Sequence, residues 1–199
     1  MSKPRRPRFV DRVKAMCADA DRIRREYNEQ HRPHGAHAFI AADYRSVYRA
    51  LKKLQNRAAT FLEFGSASGV ITIMAGMLGF EAYGIELDPL LVEMSQELAE
   101  RYCPDATFAE GSFIPADFTW RATAGDTAFR TSLDAAPAYD ELDMELRDFD
   151  LVYAYPWPDE FELVKDIMRQ SGRSNALLLT YSGTEGMQLH RPGRSRPAS

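Results

Sequence analysis

Residues 61–88 read FLEFGSASGVITIMAGMLGFEAYGIELD, and this stretch decides the fold. An apolar strand ends in Glu63 and a turn of glycine and small residues, Gly65-Ser66-Ala67-Ser68-Gly69. An uncharged helical run follows, and then a second strand that ends in Glu86. Gly65 can take backbone angles closed to other residues and lets a ligand approach the main chain. Ala67 is the next smallest choice, and Gly69 stands where the helix must begin close under the strand. Unpaired amides at a helix start, together with the helix dipole, favour an anionic group there. Glu86 lies 21 positions after Gly65, where a carboxylate can accept both hydroxyls of a ribose. Asp88-Pro89 opens the next helix, with Asp88 as N-cap and Pro89 at the first helical position. The whole is half of a nucleotide-binding site.

Two kinds of ligand use this layout. A dinucleotide site wants G-x-G-x-x-G with small residues at the second and third glycine positions. Those positions are Ala67 and Val70 here, and Val70 fits badly against a pyrophosphate. The pattern Glu63-x-Gly65-x-Ala67-x-Gly69 instead resembles motif I of the class I S-adenosylmethionine-dependent methyltransferases, whose usual form is acid-x-Gly-x-Gly-x-Gly. Ala67 is a mild departure from it. The resemblance implies that the turn amides hold the methionine carboxylate and that Glu63 faces the methionine amino group. A dinucleotide has no such ammonium group.

The surrounding chain reads as one α/β unit. Residues 9–30 have helical spacing, with Val10, Val13, Met16, Cys17, Ile23 and Tyr27 recurring at three and four. Pro33 and Gly35 break it, and a second amphipathic helix is predicted over about 39–56, carrying Phe39, Ile40, Tyr44, Val47, Tyr48, Leu51 and Leu54. Strands at 60–64, 82–86, 106–110, 149–155 and 175–181 then alternate with helices at 69–79, 89–102 and 159–170. Residues 111–148 are less regular, and MQLH (187–190) could form a short last strand. This alternation implies a Rossmann-like, doubly wound, mainly parallel sheet of about five to six strands with helices on both faces. The ligand belongs at the carboxyl ends of the strands, near the point where strand order reverses.

The resemblance covers about residues 39–182 and accounts for five of the family's usual seven strands. Residues 184–190 supply one short substitute, and a far edge left short is one that a second copy of the chain can cover. A homodimer is therefore among the expectations. The domain reading is a basic tail (1–8), an N-terminal helical segment acting as a lid (9–57), the cofactor-binding core (58–190) and a second basic tail (191–199).

The resemblance carries further residues into the site. The third strand ends Glu110-Gly111-Ser112-Phe113, a loop that in the family contacts adenine through a side chain and a backbone amide. Gly111 permits the turn, Ser112 stands where an aspartate is common, and Phe113 could cover the adenine face. The alternative is an ordinary strand-ending turn with a core phenylalanine. The fourth strand ends Tyr153-Ala154-Tyr155-Pro156-Trp157-Pro158 and matches motif IV by position. Amino-methylating members often read Asn/Asp-Pro-Pro-aromatic there. Tyr155 holds the Asn/Asp position, so the amide or carboxylate acceptor is missing, which puts a nucleobase or glutamine amide target in doubt. The expected cofactor-binding residues are Glu63, Gly65, Ser66, Ala67, Gly69, Glu86, Leu87, Gly111, Ser112, Phe113 and Tyr153. The expected catalytic residues are Tyr155, Pro156 and Trp157. Aromatic faces attract sulfonium and ammonium groups, and strand alternation puts Tyr153 and Tyr155 on one side. Asp159 and Glu160 could hold an amine or take its proton, or simply begin the next helix where acids favour the dipole. In the family the segment before the first strand closes over the cofactor, which would bring Tyr44 or Tyr48 to it.

Composition bounds the rest. The chain has 199 residues, 45% hydrophobic and 27% charged, enough for one domain with a core. The longest uncharged run, Gly65 to Phe80, is too short to span a bilayer. No apolar segment follows the basic start, and Cys17 and Cys103 form neither a metal spacing nor a disulfide framework. A cytoplasmic protein is expected. Lys3, Arg5, Arg6 and Arg8 begin the chain, and Arg191, Arg194 and Arg196 close it. The remainder holds 18 basic against 29 acidic residues, a formal charge of −11. An acidic body repels phosphate backbones, so the methyl acceptor is expected to be a small molecule or a protein side chain rather than nucleic acid. His31, His34 and His37 suggest a metal, but Pro33 and Gly35 disfavour the helix that would align them, and no metal is expected. No Ser-His-Asp or Cys-His pairing and no P-loop is legible. The reading is thus an S-adenosylmethionine-dependent methyltransferase. Its rivals are a noncatalytic, methyltransferase-like binding protein and an NAD(P)-dependent Rossmann oxidoreductase.

Overall fold

Five near-continuous apolar segments make strands that only a sheet covered on both faces can bury. The computed structural model describes residues 8–31, 40–120 and 131–192. Its strands are β1 (Thr60–Phe64), β2 (Glu81–Glu86), β3 (Thr107–Glu110), β4 (Leu151–Ala154), β5 (Leu177–Ser182) and β6 (Gly186–His190). They form one sheet in the order β3-β2-β1-β4-β5-β6. The first five run parallel, and β6 pairs antiparallel with β5. The short substitute strand expected near 184–190 is β6. Strand order reverses between β1 and β4.

Side-chain alternation divides the core. Phe61, Leu151, Tyr153, Leu177 and Leu179 point to one face, under helices α1 (Phe9–His31), α2 (Tyr44–Leu54), α3 (Val70–Met77) and α4 (Pro89–Tyr102). Leu62, Phe64, Ile85, Val152 and Leu178 point to the other, under α5 (Tyr139–Leu142), a 3-10 turn (Leu146–Asp148) and α6 (Phe161–Ser171). Asp150 ties the sheet's lower edge together: its carboxylate accepts from the amide of Ala59 (2.9 Å) and from Arg173 (2.6 Å).

The N-terminal helix is fastened along α4. Arg12 donates to the Tyr102 carbonyl (2.7 Å), and Tyr102 and Arg101 both donate to Asp19 (2.9 and 3.2 Å). At the other end Tyr27 donates to Asp88 (2.5 Å), the N-cap of α4. Asp88 accepts from the Leu90 amide and Pro89 follows it, as the sequence predicts. Val10, placed on the apolar stripe from spacing, is 47% exposed, and the buried stripe is Val13, Met16, Ala20, Ile23 and Tyr27.

Several boundaries differ from expectation. The second helix begins at Tyr44, because Asp43 caps it by accepting from the Arg45 amide. Ile40 is therefore loop, not helix, and Phe39 lies outside the described residues. The fourth strand is shorter than 149–155, since Phe149, Asp150 and Tyr155 fall outside β4. The basic tails (all but Arg8, Arg191 and Pro192), His34 and His37 also lie outside the described residues. Among the described residues no cluster of His, Cys, Asp or Glu is placed to hold a metal, and no helix is long and apolar enough to cross a membrane.

Candidate functional site

A cavity opens where the strand order reverses, at the carboxyl ends of β1 and β4. Glu63, Tyr153 and Tyr155 line it together with residues 65–68 and the first turn of α3, and Ile40–Ala42 and Tyr44 cover it. Its enclosed part measures about 50 Å³, and about 340 Å³ with the open mouth. A water needs roughly 10–15 Å³ of such enclosed space. The inner part therefore accepts a small polar group, and anything larger must extend through the mouth.

The turn sets this shape. Gly65 and Gly69 take φ of +69° and +74°. A Cβ on Gly69 would stand 2.6 Å from the Phe108 ring and 2.7 Å from Ser95, so glycine is required by crowding as well as by conformation. Ala67 also lies in the left-handed region, at φ +47°, where a side chain costs about 1–2 kcal/mol. The departure from glycine at this position is thus a strained one.

Glu63 is 4% exposed. Gly69 has no side chain to cap α3, and Glu63 supplies the cap from the neighbouring strand. Its Oε2 accepts from the Thr72 amide (2.9 Å) and hydroxyl (2.7 Å). Burial pushes its carboxyl up to about 8; the two Thr72 bonds oppose that rise, and the charge of Glu86 adds to it. In the sheet Glu63 stands in register between Gly84 of β2 and Tyr153 of β4. On the Gly84 side the Phe108, Ser66 and Thr72 side chains fill the space a Cβ would need, and on the other side stands a phenol.

Glu86 closes over the turn. It accepts from the amides of Ala67 (2.8 Å), Leu87 (2.8 Å) and Asp88 (3.1 Å). The acid at the end of β2 thus organises two loops of the site at once. Leu87 is 49% exposed beside it.

Four hydroxyls are orphaned. Among the described residues, Tyr44 Oη, Ser66 Oγ, Ser68 Oγ and Tyr153 Oη are buried without a hydrogen-bond partner, and all four residues line the cavity. A buried unpaired polar group costs about 1–3 kcal/mol, so four around one cavity mark a place built to be completed by a polar ligand. Burial raises the Tyr44 and Tyr153 phenols well above the ordinary range, and the charge of Glu63 contributes to both shifts. Both hydroxyls are therefore neutral and available to donate.

The structure brings together Glu63, Gly65, Ser66, Ala67, Tyr153 and Tyr155 at the cavity. It also adds Ser68 and the Ile40–Ala42 segment, which the sequence reading did not single out. Tyr44 reaches the cavity, whereas Tyr48 packs on the core beside Phe9 (ring centroids 6.3 Å apart). The third-strand loop is used differently from expectation. Ser112 Oγ accepts from the Ile114 amide inside its own turn (3.1 Å), and Phe113 stacks on Phe64 (4.6 Å, 11° between planes). Neither these two nor Gly111 lines the cavity. Tyr155, 36% exposed, meets Tyr181 edge-on at 4.9 Å. Pro156 and Trp157 lie beyond the cavity lining. Glu160 is buried and accepts from the Thr131 amide (3.0 Å) and hydroxyl (2.6 Å), so it fastens the chain at Thr131 rather than facing the cavity. Asp159 is exposed.

Sheet order, helices on both faces and a glycine turn at the point of reversal define a Rossmann-like, doubly wound domain. The chain has the form of that domain found in the class I S-adenosylmethionine-dependent methyltransferases. Similar solved structures include a methyltransferase from Geobacter sulfurreducens (TM-score 0.53, 15% identity, 83% of this chain and 69% of that one). Another is an RNA methyltransferase from Salinibacter ruber in complex with S-adenosyl-L-homocysteine (0.51, 18%, 71% and 76%). A third is a putative caffeoyl-CoA O-methyltransferase from Staphylococcus aureus (0.51, 10%, 86% and 72%). In sequence, 85 residues, 43% of this chain, are 35% identical to an ATP synthase lysine N-methyltransferase of Rattus norvegicus. The match spans 38% of that relative's length. No protein-family model matches the chain.

Proposed function

We propose that the protein binds S-adenosylmethionine at the β1–β4 cavity and transfers its methyl group to an amine, on a small molecule or a protein side chain. The observation that carries this reading is the cavity itself: a glycine turn, a buried carboxylate and four unpartnered hydroxyls at the strand reversal. They suit an amino-acid head group, and the carboxyl end of β2, with half-buried Glu86 and exposed Leu87, suits the nucleoside. Held there, S-adenosylmethionine would supply an electrophilic methyl: the acceptor's lone pair would form the new bond as the S–C bond breaks, sulfur would keep that electron pair as a neutral thioether, and the nitrogen would shed a proton. The chain's part is to orient and to exclude water. Ala41, Ala42 and Ile40 cover the cavity, and Tyr155 with Tyr181 forms an aromatic rim where the acceptor enters.

The amine rests on electrostatics. Among the described residues no Lys, Arg or His lines the cavity, and its one carboxyl group is Glu63. The rings of Tyr155 and Tyr181 at the rim attract cations, and a lining without a basic residue offers no partner to a phosphate. The similarity to a lysine N-methyltransferase agrees with it. Asp159, exposed next to the Tyr155–Trp157 turn, is our candidate to take up the released proton. Incubation with methyl-labelled cofactor and four acceptor types (a lysine-rich protein, a small primary amine, a catechol and an RNA) tests this. Label is expected in the amine-bearing acceptors. Label confined to RNA or catechol refutes the amine.

A further inference from the structure

Helix α2 carries its charge on one side. Arg45, Arg49, Lys52 and Lys53 are all exposed, and at 3.6 residues per turn they fall within about 100° of the helix surface. Val47, Leu51 and Leu54, on the opposite side, are buried. Arg57 follows, also exposed, and the only acid between Ile40 and Ala58 is Asp43. Its carboxylate is held by the Arg45 amide and the Ser46 hydroxyl. Among the described residues ion pairs hold Arg22, Arg101, Lys165, Arg169 and Arg173, but none of the α2 cations. A chain with an excess of acid thus leaves this row unneutralised. Apolar side chains border it. Lys52 Nζ stands 5.9 Å from the centre of the Tyr48 ring, and Phe9 packs on the same ring at 6.3 Å. Phe9 and its neighbour Val10 are exposed. The α1 acids Asp11 and Asp21 are occupied by Arg8 (3.1 Å) and Arg24 (3.5 Å).

We propose that the exposed face of α2, with Phe9 and Val10 at its border, docks on the surface of an anionic lipid bilayer. Cations close to such a surface are drawn to its headgroups, and exposed apolar chains gain by entering the boundary with the acyl chains. Either signal alone binds weakly, and the two together hold. Val10 favours lipid over nucleic acid, to which an exposed aliphatic chain offers no bond. The contact is peripheral, since α2 keeps its own apolar face in the protein core. Salt screens charges beyond about 8–10 Å, so the face that approaches decides the sign of the interaction, not the net charge of the chain. Tyr44, in the first turn of the same helix, lines the cavity. Docking therefore holds the cavity within about one helix length, ~16 Å, of the headgroups. The inference does not depend on which cofactor the cavity takes.

Sedimentation of the full chain with vesicles tests it, one set made of phosphatidylcholine alone and the other containing phosphatidylserine as well. Wild type is expected to sediment with the second set only and to be released as salt is raised. Each Lys or Arg removed is expected to weaken binding about fivefold, so Lys52→Gln with Lys53→Gln, and separately Arg45→Gln with Arg49→Gln, should each lose roughly 25-fold. These side chains are exposed and unpaired, so the melting temperature should not change. Val10→Ser is expected to weaken binding several-fold without altering its salt dependence. Absence of wild type from the phosphatidylserine pellet would overturn the inference. So would charge variants that bind as wild type does, which would assign the attraction to the basic ends of the chain, or a Val10→Ser protein indistinguishable from wild type. Tighter binding to a duplex RNA than to the vesicles, lost in the same charge variants, would overturn the lipid surface in favour of nucleic acid. A wild-type dimer that both charge variants convert to monomer would overturn it in favour of a second copy of the chain.

Discussion

The buried carboxylate at the cavity floor makes stability depend on pH in an unusual direction. Glu63 has an ordinary value of 4.5 and is pushed up to about 8 in the folded protein. The folded state therefore binds more protons than the unfolded chain between those values. Stability from this group is complete below pH 4.5 and is lost as pH rises through 8. Linkage with these two values gives a loss of about 2 kcal/mol at pH 6 and about 4 kcal/mol at pH 8. The difference across that window, about 2 kcal/mol, corresponds to roughly 4–9 °C in melting temperature for a chain of this size. Glu63→Gln keeps an oxygen to accept from Thr72 and removes the charge. Melting curves of wild type and Glu63→Gln, measured from pH 6 to pH 8.5, are expected to diverge by that amount, wild type falling more steeply. Parallel curves would refute the reasoning, since they would mean that Glu63 ionises near its ordinary value.

Three further expectations follow from the same geometry. At pH 7 a ligand bearing an ammonium should expel the Glu63 proton, releasing up to about 0.9 proton per site; calorimetry in buffers of different ionisation heat measures this, and Glu63→Gln should abolish it. Ala67→Gly relieves a left-handed alanine, offset by the freedom glycine gains in the unfolded chain, and should raise stability by about 0.5–1 kcal/mol in urea titration; a loss would mean the turn is not strained. Tyr27→Phe removes the hydrogen bond to Asp88 and should cost about 1.5 kcal/mol, read as a fall of roughly 3–6 °C in melting temperature.

The architecture was legible because its signals are local. Strand, glycine turn, helix and terminal acid follow one another in 61–88, and the Asp88-Pro89 cap and the β6 segment could be read the same way. The helix start at Tyr44 was missed because apolar spacing continues through Phe39 and Ile40, while the Asp43 cap overrides it. Within the site, the turn residues and Tyr153 were readable from motif position, but their partners were not. Nothing in sequence says that Glu63 caps α3 through Thr72, since that contact depends on strand and helix being brought together. Phe113 and Ser112 were placed by family position, yet Phe64 offers a closer stacking partner and the Ile114 amide a nearer donor. Ser68 was overlooked because a small residue in a turn reads as a spacer; only burial without a partner marks it.

The most direct measurement is calorimetric titration of the protein with S-adenosylmethionine, S-adenosylhomocysteine and NADH, with Glu86→Ala as control because Glu86 holds both the turn and the loop after β2. Micromolar binding of the two adenosyl ligands, lost in the control and absent for NADH, is the predicted result. NADH binding with silence from both adenosyl ligands would contradict it.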